Sequence, residues 1–474
     1  MKNADLLIKC EHIYTMEGEG VGYLSGHGVA VAGGKIAAVL PWAELEQAYT
    51  APRTINAENK VLLPGFIDGH MHTGHGVLRG VAQDIANWMM DGVAPFERQR
   101  SPEAKTAGSK LAIAEAVMNG TTTIGDDGSG MAGALAFIDE IGARGNVSIR
   151  IREAAVRSYR PGELYEFDEA LGQKALDECL ALYDRWHGHD DGRIQIRFGP
   201  QGADFLSLPL LQRVRELARE RKTKIHMHLS QGSRETKQMT MRYGKKAIPM
   251  LAELGYLDED FVGIHLTDAT AEEVAIAAGA GASMILCSAS IGVIDGEVPP
   301  AKEYLDAGGR VGLGSDQAPG NNCHNMIHEM YTTALFNKIR FQDPEIMPAW
   351  QVLRLATIEN AKALGIDAAT GSIKAGKDAD LILIDLHHAS LSPLLTVPMR
   401  NFVPNLVYSA RGDEVDTVMV KGRLLMEGRK PLTFDLDKIL AEVQGFADEI
   451  GALAAPEFEK IDGKNARYMK ERKL

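Results

Sequence analysis

Several features that would assign this chain to a particular class of protein are absent from its sequence. Only four cysteines occur in 474 residues, and none has the Cys-x-x-Cys spacing of a structural zinc site or a redox pair. Cysteines this far apart fit reduced, buried thiols, so we expect no disulfide framework and a cytoplasmic location. The apolar patch near the N-terminus is only a few residues long, which predicts neither a signal peptide nor a membrane-spanning helix.

The chain also lacks an excess of basic residues. It carries 51 Lys and Arg against 64 Asp and Glu, which gives a formal net charge of -13 at pH 7. That charge disfavours nucleic acid and anionic membranes as partners, because both present dense negative charge. With 45% hydrophobic residues and no low-complexity segment, the chain has the composition of a globular protein with a large core. We therefore expect a small molecule as its substrate or ligand.

What the sequence does contain is a series of short apolar runs that alternate with amphipathic helical patterns. Alternation of this kind predicts repeated βα units and a parallel sheet. Eight units favour a closed (β/α)8 barrel, which carries its site at the C-terminal ends of the strands. The eight predicted strands are VLLPGFID (61–68), TTTIGD (121–126), SIRIRE (148–153), RIQIRFG (193–199), KIHMHL (224–229), FVGIHL (261–266), SMILC (283–287) and RVGLGSD (310–316).

The two ends of the chain show a different pattern. Residues 1–60 and 369–430 contain strand-like pieces broken by Gly, Pro and Asn, which is typical of antiparallel β-structure. We therefore predict an α/β protein in which a TIM barrel of residues 61–368 carries a small composite β-sandwich built from both flanks. Residues 431–474 are helical by pattern and end in basic residues. We interpret them as a solvated helical tail, with a contact in an oligomer as the alternative.

Histidines and one aspartate stand at the ends of four predicted strands. The set is His70 and His72 after strand one, His226 and His228 in strand five, His265 in strand six and Asp316 in strand eight. Residues two apart in an extended segment point to the same side, so a His-x-His pair can hold one ion. Because all these strand ends meet at one rim of a barrel, we predict a divalent metal site there. For His226 a place beside the site is favoured over ligation.

Four motifs in this order carry a resemblance to a known family. VLLPGFIDGHMH, HMHLS, IHL and GLGSD resemble the metal-site motifs of the amidohydrolase superfamily. Within it they are similar to the ATZ/TRZ-type branch of cytosine and guanine deaminases and triazine hydrolases. The resemblance spans almost the whole chain, since AGKDADLILID is similar to the composite β-domain of that family. It implies the same barrel and flanking domain, and a homo-oligomer that is a dimer or larger.

The resemblance also implies roles for the residues of the predicted site. His70, His72, His228 and Asp316 would ligate one divalent metal ion per chain, which is zinc, or iron as the alternative. Such an ion lowers the pKa of its bound water to about 7, which supplies hydroxide at neutral pH. Asp316 would accept the proton of that water and pass it to the leaving group. His265 would support charge on the attacked centre.

Two residues depart from the pattern of the family. Gln231 stands where many deaminases of this branch carry a glutamate that protonates a ring nitrogen. An amide donates a hydrogen bond but delivers no proton, so the acid is missing, supplied elsewhere or not needed. Glu235 is a candidate replacement if its segment is helical, with an ordinary surface carboxylate as the alternative. Gln201 stands where purine deaminases commonly carry a histidine, and its amide is a candidate for binding an amide-like edge of the substrate.

Two further residues are candidates for contact with substrate. Trp88 lies in a long segment after the first strand, where barrel enzymes often build substrate walls, and its ring would cover a planar ligand. Packing in the core is the alternative for Trp88. His324 lies in the polar loop after strand eight and would face the pocket, unless it is hydrogen-bonded within its own loop.

Together these features predict a metal-dependent hydrolase. The first hypothesis is a hydrolytic deaminase or aminohydrolase, in which metal-bound hydroxide cleaves an exocyclic C–N bond of a small nitrogen heterocycle. The alternative on the same scaffold is hydrolysis of a triazine C–Cl or C–S bond, or of an acyclic urea, carbamate or amide. Those substrates need no acid for a ring nitrogen, which would explain Gln231. A non-catalytic binding protein is a third alternative, and the complete ligand set argues against it.

Overall fold

The computed structural model describes residues 1–85, 87–157, 159–160, 162–461 and 463–474. The described strands form a barrel sheet of eight strands, a flanking sheet of eight strands and a two-stranded sheet of the first and fifth strands. In chain order they are β1 (Lys2–Asn3), β2 (Leu6–Tyr14), β3 (Tyr23–Ala32), β4 (Lys35–Pro41), β5 (Tyr49–Thr50), β6 (Thr54–Pro64), β7 (Phe66–Met71), β8 (Thr121–Gly128), β9 (Arg144–Ile151), β10 (Ile194–Pro200), β11 (Ile225–Leu229), β12 (Phe261–His265), β13 (Ser283–Leu286), β14 (Arg310–Leu313), β15 (Leu381–Asp385), β16 (Val415–Val420), β17 (Arg423–Glu427) and β18 (Lys430–Pro431).

The described residues also form helices, and most of the barrel strands are followed by at least one of them. They are α1 (Trp42–Ala48), α2 (Ala94–Glu97), α3 (Pro102–Met118), α4 (Ala132–Ile141), α5 (Glu169–Trp186), α6 (His189–Gly192), α7 (Leu208–Glu220), α8 (Ser233–Tyr243), α9 (Ala247–Glu253), α10 (Ala271–Gly279), α11 (Ser288–Ile294), α12 (Ala301–Asp306), α13 (Ala318–Asn321), α14 (Met326–Phe341), α15 (Ala349–Leu355), α16 (Ile358–Leu364), α17 (Phe402–Tyr408), α18 (Leu436–Phe458) and α19 (Lys464–Lys470). Thr270 and Glu273 form a capping box at the start of α10. Among the described residues, no helix combines the length and the apolar character that a membrane crossing requires.

The strands β7 to β14 lie side by side in chain order and form the predicted (β/α)8 barrel. The barrel closes at a parallel bridge between Met71, the last residue of β7, and Asp316, which follows β14. There the Asp316 amide donates to the His70 carbonyl at 2.8 Å, and the His72 amide donates to the Asp316 carbonyl at 2.9 Å. The seam of the barrel therefore lies beside the histidine pair that follows the first strand.

One predicted strand proves to be two. The run VLLPGFID (61–68) begins in β6 of the flanking sheet, and after Gly65 it continues as β7 of the barrel. A Cβ atom on Gly65 would lie 2.1 Å from the Thr122 side chain, so the chain can pass this closely between the two sheets only at a glycine. The prediction of a single strand was wrong. Both halves of the run are apolar, so the sequence pattern does not show where one strand ends and the next begins.

The flanking sheet combines both ends of the chain, as the sequence predicts. Strand β6 lies at its centre, where it pairs in parallel with β2 and antiparallel with β15. Ile8 and Val29 from the first half share one apolar cluster with Leu381 and Met419 from the second half. The two halves form one continuous sheet. The domain limits at residues 60 and 368 stay a prediction, and β6 runs across the first of them.

The C-terminal helix α18 is not a solvated tail. Its buried residues are Ile439, Val443, Ile450 and Ala454, and they give it an apolar face. The helix packs against α3, where Lys110 Nζ lies 3.1 Å from Glu442 Oε2. Near its end, the Phe96 and Phe458 rings lie 5.7 Å apart. The prediction of a solvated helix was wrong for α18 because its apolar face covers the segment that follows β7.

Candidate metal centre

Three histidines and one aspartate converge at the C-terminal rim of the barrel. His72 Nε2 lies 3.3 Å from His228 Nε2 and 3.4 Å from Asp316 Oδ1. His70 Nε2 lies 3.6 Å from the same oxygen of Asp316. Ligand atoms of His70, His72 and His228 all lie within 4.8 Å of one another. All four side chains are buried.

The donor atoms of this cluster fit a cation. His70 Nε2 is buried and has no hydrogen-bond partner among the described residues, which is costly for a polar atom unless a ligand satisfies it. Burial, followed by the charges of neighbouring groups, lowers the pKa of His70 and His72 well below the usual value. Burial also lowers the pKa of His228 to about 4. The rings are therefore neutral imidazoles, the form that binds metals, and with a carboxylate they suit a divalent ion.

The second ring nitrogen of each of these histidines has a partner of its own. The pairs are His70 Nδ1 with His226 Nε2 at 2.9 Å, His72 Nδ1 with the Asp127 carbonyl at 2.8 Å, and His228 Nδ1 with the Gln201 carbonyl at 3.0 Å. Partners of this kind fix the rotation of a ring and so direct its other nitrogen toward the metal. His226 thus lies beside the predicted ligands and holds one of them. Gln201 contributes its backbone, while its Oε1 atom lies 3.5 Å from Arg152.

Asp316 and His265 form a second group with His70, and the ligand atoms of these three residues all lie within 4.8 Å of one another. Asp316 turns Oδ1 toward the histidines and accepts a hydrogen bond from the Ser290 hydroxyl at Oδ2, at 2.5 Å. Burial raises the pKa of Asp316 to about 7. The His265 ring lies 5.5 Å from the His70 ring, and both its nitrogens are buried without a partner among the described residues. His265 and Asp316 have φ angles of +74° and +62°, a strained conformation that is common at functional sites.

The structure gives Gln231 and Glu235 different surroundings. The Gln231 side chain is half-buried and makes no hydrogen bond within the described part of the chain. Glu235 lies in the first turn of α8 and is buried, so it is not a surface carboxylate. Its two oxygens accept the amide hydrogens of Ser230 at 3.1 Å and of Gln231 at 2.8 Å. These bonds hold the turn after β11, and a role for Glu235 as an acid stays a prediction.

Trp88 follows the first two predicted ligands in the chain, and His324 follows the last one. His324 is fully buried, and its Nδ1 atom lies 2.8 Å from the Ser315 hydroxyl, next to Asp316. Trp88 begins a wide helical turn (Trp88–Val93) and is half-buried against the core, while Met89 is exposed. The segment that holds Trp88 was predicted as a substrate wall, and its residue 86 lies outside the described residues. Contact of Trp88 or His324 with substrate stays a prediction.

Two residues that contact the centre were not predicted from the sequence. Ser290 is one, through its bond to Asp316. Arg150 is the other, because its guanidinium donates to Asp127 Oδ2 at 2.6 Å and lies 3.0 Å from His72 Nδ1. Burial alone would raise the pKa of Asp127, but the charge of Arg150 outweighs it and holds the pKa well below the usual range. An arginine near the end of a buried strand was the available signal for Arg150.

Comparison with known proteins agrees with this geometry. The model of the Amidohydrolase family matches residues 61–425, which include every residue of the cluster. The model of an Imidazolonepropionase-like composite domain of bacteria matches residues 28–51, in the flanking sheet. A 5-methylthioadenosine/S-adenosylhomocysteine deaminase of Pelotomaculum thermopropionicum is 31% identical over 446 residues, which cover 93% of this chain and 98% of that protein.

Solved structures extend the comparison to three dimensions. An adenosine deaminase from Xanthomonas campestris, solved with bound zinc, superimposes with a TM-score of 0.87 at 27% identity. The match covers 95% of this chain and 99% of that one. An atrazine chlorohydrolase from Arthrobacter aurescens, also solved with zinc, has a TM-score of 0.83 at 21% identity and covers 93% of this chain and 100% of its own. At that identity the chlorohydrolase supports the fold alone.

Proposed function

The chain belongs to the amidohydrolase family and is a hydrolase of C–N bonds, and from that premise we propose that it deaminates a 6-aminopurine nucleoside. The observation that carries the proposal is the convergence of three neutral imidazoles and the Asp316 carboxylate at the barrel rim. The named activities of the Pelotomaculum relative and the Xanthomonas structure favour adenosine, or an adenosine altered at its 5′ position, as substrate.

We assign His70, His72, His228 and Asp316 to one zinc ion per chain. The unpartnered Nε2 atom of His70 and the neutral state of the rings support this assignment. The zinc in the Xanthomonas structure favours zinc over iron. A divalent ion held there supplies Lewis-acid activation of water at neutral pH.

Asp316 and His265 carry the protons in this proposal. Asp316 accepts a proton from the attacking water, whose oxygen forms a new C–O bond, and passes that proton to the amino group. The exocyclic C–N bond then breaks and ammonia leaves. The bond from Ser290 to Oδ2 leaves Oδ1 of Asp316 facing the centre. The buried, unpartnered nitrogens of His265 are available to hydrogen-bond the atom on which charge develops.

Gln231 binds the substrate ring in this proposal. Gln231 follows β11, the strand that contains His228, and its side-chain amide is free to donate a hydrogen bond to a ring nitrogen. Because it delivers no proton, Gln231 also favours a second candidate function. That function is hydrolysis of a leaving group that departs without ring protonation, such as chloride or a thiolate on a nitrogen heterocycle.

The test combines metal analysis with product release. Mass spectrometry of the purified protein should find about one zinc per chain, as a site of three histidines and one carboxylate holds a single ion. Adenosine and 5′-deoxyadenosine should release ammonia, and atrazine should release no chloride. Chloride release without ammonia would establish the second candidate and overturn the first. The metal-loaded Asp316→Asn variant is the control for contaminating deaminases.

A further inference from the structure

Three cationic side chains lie together on one side of the metal centre. We define the cationic rim as Arg100, just before α3, Lys105 in α3, and Arg150 near the end of β9. Arg150 Nη2 lies 3.0 Å from His72 Nδ1, so the rim touches a predicted metal ligand. In a chain with a net charge of -13, a positive cluster at this position needs a physical reason.

The contacts of Arg100 and Lys105 place both at the mouth of the barrel. Arg100 donates to the carbonyl of Gly74, which follows β7. Lys105 Nζ donates to the carbonyl of Ser129, which follows β8, and lies 3.4 Å from the hydroxyl of that serine. The two side chains meet at Gly74, where a Cβ atom would lie 2.8 Å from Lys105 Cγ and 3.5 Å from Arg100 Nη1. All three cations thus surround the C-terminal ends of β7, β8 and β9.

Two of the three cations of the rim form salt bridges with carboxylates. Glu97 pairs with Arg100, and Asp127 pairs with Arg150. Lys105 forms no salt bridge with a carboxylate among the described residues. The charge of Asp126 acts on Lys105 without a salt bridge between the two. Asp126 accepts the Thr73 amide at 2.9 Å, and burial raises its pKa to about 6. Burial, followed by the charges of Arg100 and Arg150, lowers the pKa of Lys105 to about 8.

We propose that the cationic rim binds an oxyanion of the substrate, a carboxylate or a phosphate carried beside the heterocycle. A guanidinium fork and an ammonium group together offer several charge-assisted donors to such a group. An oxyanion there would form the salt bridge that Lys105 lacks among the described residues, and would orient the heterocycle over the ligand cluster through Arg150. The proposal rests on the proposed function, because it names the class of purine nucleoside that the site prefers.

The test compares a neutral substrate with two anionic ones. Adenosine is the neutral probe, and adenosine 5′-monophosphate and adenosine-5′-carboxylic acid carry the phosphate and the carboxylate. The wild type should have a higher kcat/KM for one of the anionic nucleosides than for adenosine. The Lys105→Met variant should lower kcat/KM for the anionic nucleoside roughly 10- to 100-fold by raising KM, as expected for loss of one charged hydrogen bond. The kcat/KM for adenosine should change less than about 3-fold.

The control is Lys110→Met, which removes the same charge from the same helix. Lys110 faces Glu442 of α18 and not the rim, so its replacement should leave all three kcat/KM values unchanged. Calorimetric binding of the same nucleosides needs no turnover and separates the two proposals. Tight binding of an anionic nucleoside that weakens in Lys105→Met, without ammonia release, would overturn only the deaminase. Equal losses for neutral and anionic nucleosides, or no binding of either anion to the wild type, would overturn the role of the rim.

Discussion

The Nδ1 atom of His70 lies 2.9 Å from the Nε2 atom of His226, and the two rings are nearly parallel with centroids 5.1 Å apart. His226 and His228 are alternate residues of β11 and lie on the same face of it. His228 reaches the cluster, whereas His226 lies behind His70 and holds its ring. One His-x-His pair thus supplies one candidate ligand and one partner that orients a ligand of the other pair.

Replacing His226 should weaken metal binding. His226→Ala removes the group that fixes the His70 ring, and outer partners of this kind are worth roughly 10- to 100-fold in metal affinity. Competition with a chelator, followed by metal analysis, measures the change. The exposed His189 provides the control, since His189→Ala removes a histidine that pairs with Asp139 far from the cluster. Unchanged zinc affinity in His226→Ala would contradict the role assigned to this pair.

Removing either proposed proton carrier should reduce the turnover of metal-loaded protein. We expect Asp316→Ala and His265→Ala to lower kcat at least ~100-fold, as is usual when a general acid-base group or a preorganised charge is lost. Steady-state kinetics are measured on protein whose metal content has been determined. A metal-loaded Asp316→Ala protein with normal kcat would show that another group takes the proton.

The Gln231→Glu variant tests whether the enzyme lacks an acid for the ring nitrogen. If the substrate is a purine nucleoside, the new carboxyl group should raise kcat at least ~10-fold, which is less than the roughly 100- to 10,000-fold that a well-placed general acid contributes. The gain should fall as pH rises through the pKa of the new group, because only its protonated form donates. Gln47→Glu, on the exposed face of α1, adds the same charge elsewhere. No change in ring-amine turnover would mean that no acid is needed at this position.

Arg144 should stabilise the joint between the barrel and the flanking sheet. Its guanidinium lies 2.6 Å from Asp378 Oδ2 and 2.7 Å from Asp380 Oδ2, and all three side chains are at most 3% exposed. Breaking such a buried pair from one side leaves uncompensated charge, so Arg144→Met should lower the free energy of unfolding by about 3–5 kcal/mol. Thermal unfolding measures the loss. Arg213→Met, which breaks an exposed pair with Glu216, should cost less than about 1 kcal/mol.

The same joint predicts how stability depends on pH. Burial would raise the pKa of Asp378, but the hydrogen bond from Lys35 and the charge of Arg144 outweigh it, so the pKa lies below its usual value. A carboxylate whose pKa is lowered by folding stabilises the protein above its unfolded pKa and loses that contribution as pH falls through the folded value. The wild-type Tm should therefore decrease when the pH is lowered past about 4, the usual pKa of aspartate. A Tm equally sensitive to acid in Arg144→Met would contradict this account.

Local patterns in the sequence were enough for the barrel and for the candidate ligands. Strand and helix alternation depends on residues a few positions apart, and the His-x-His spacing of His70 and His72 is itself local. The run over 61–68 was read as one strand because its apolar pattern continues through Gly65, where the chain changes sheets. The helical pattern of α18 was likewise visible in the sequence, but the pattern does not show which surface its apolar face covers.

The sequence by itself determined the eight βα units, the composite flank and the residue types of the centre, because periodicity and strand-end position are properties of neighbouring residues. Tertiary structure alone decided which ring His226 supports, that Glu235 holds the turn after β11, and that Arg150 lies beside His72. Lys105 and Ser129, or Arg144 and Asp380, are distant in the chain and meet only when the barrel closes. Such pairings depend on packing between elements, which no local pattern of residues encodes.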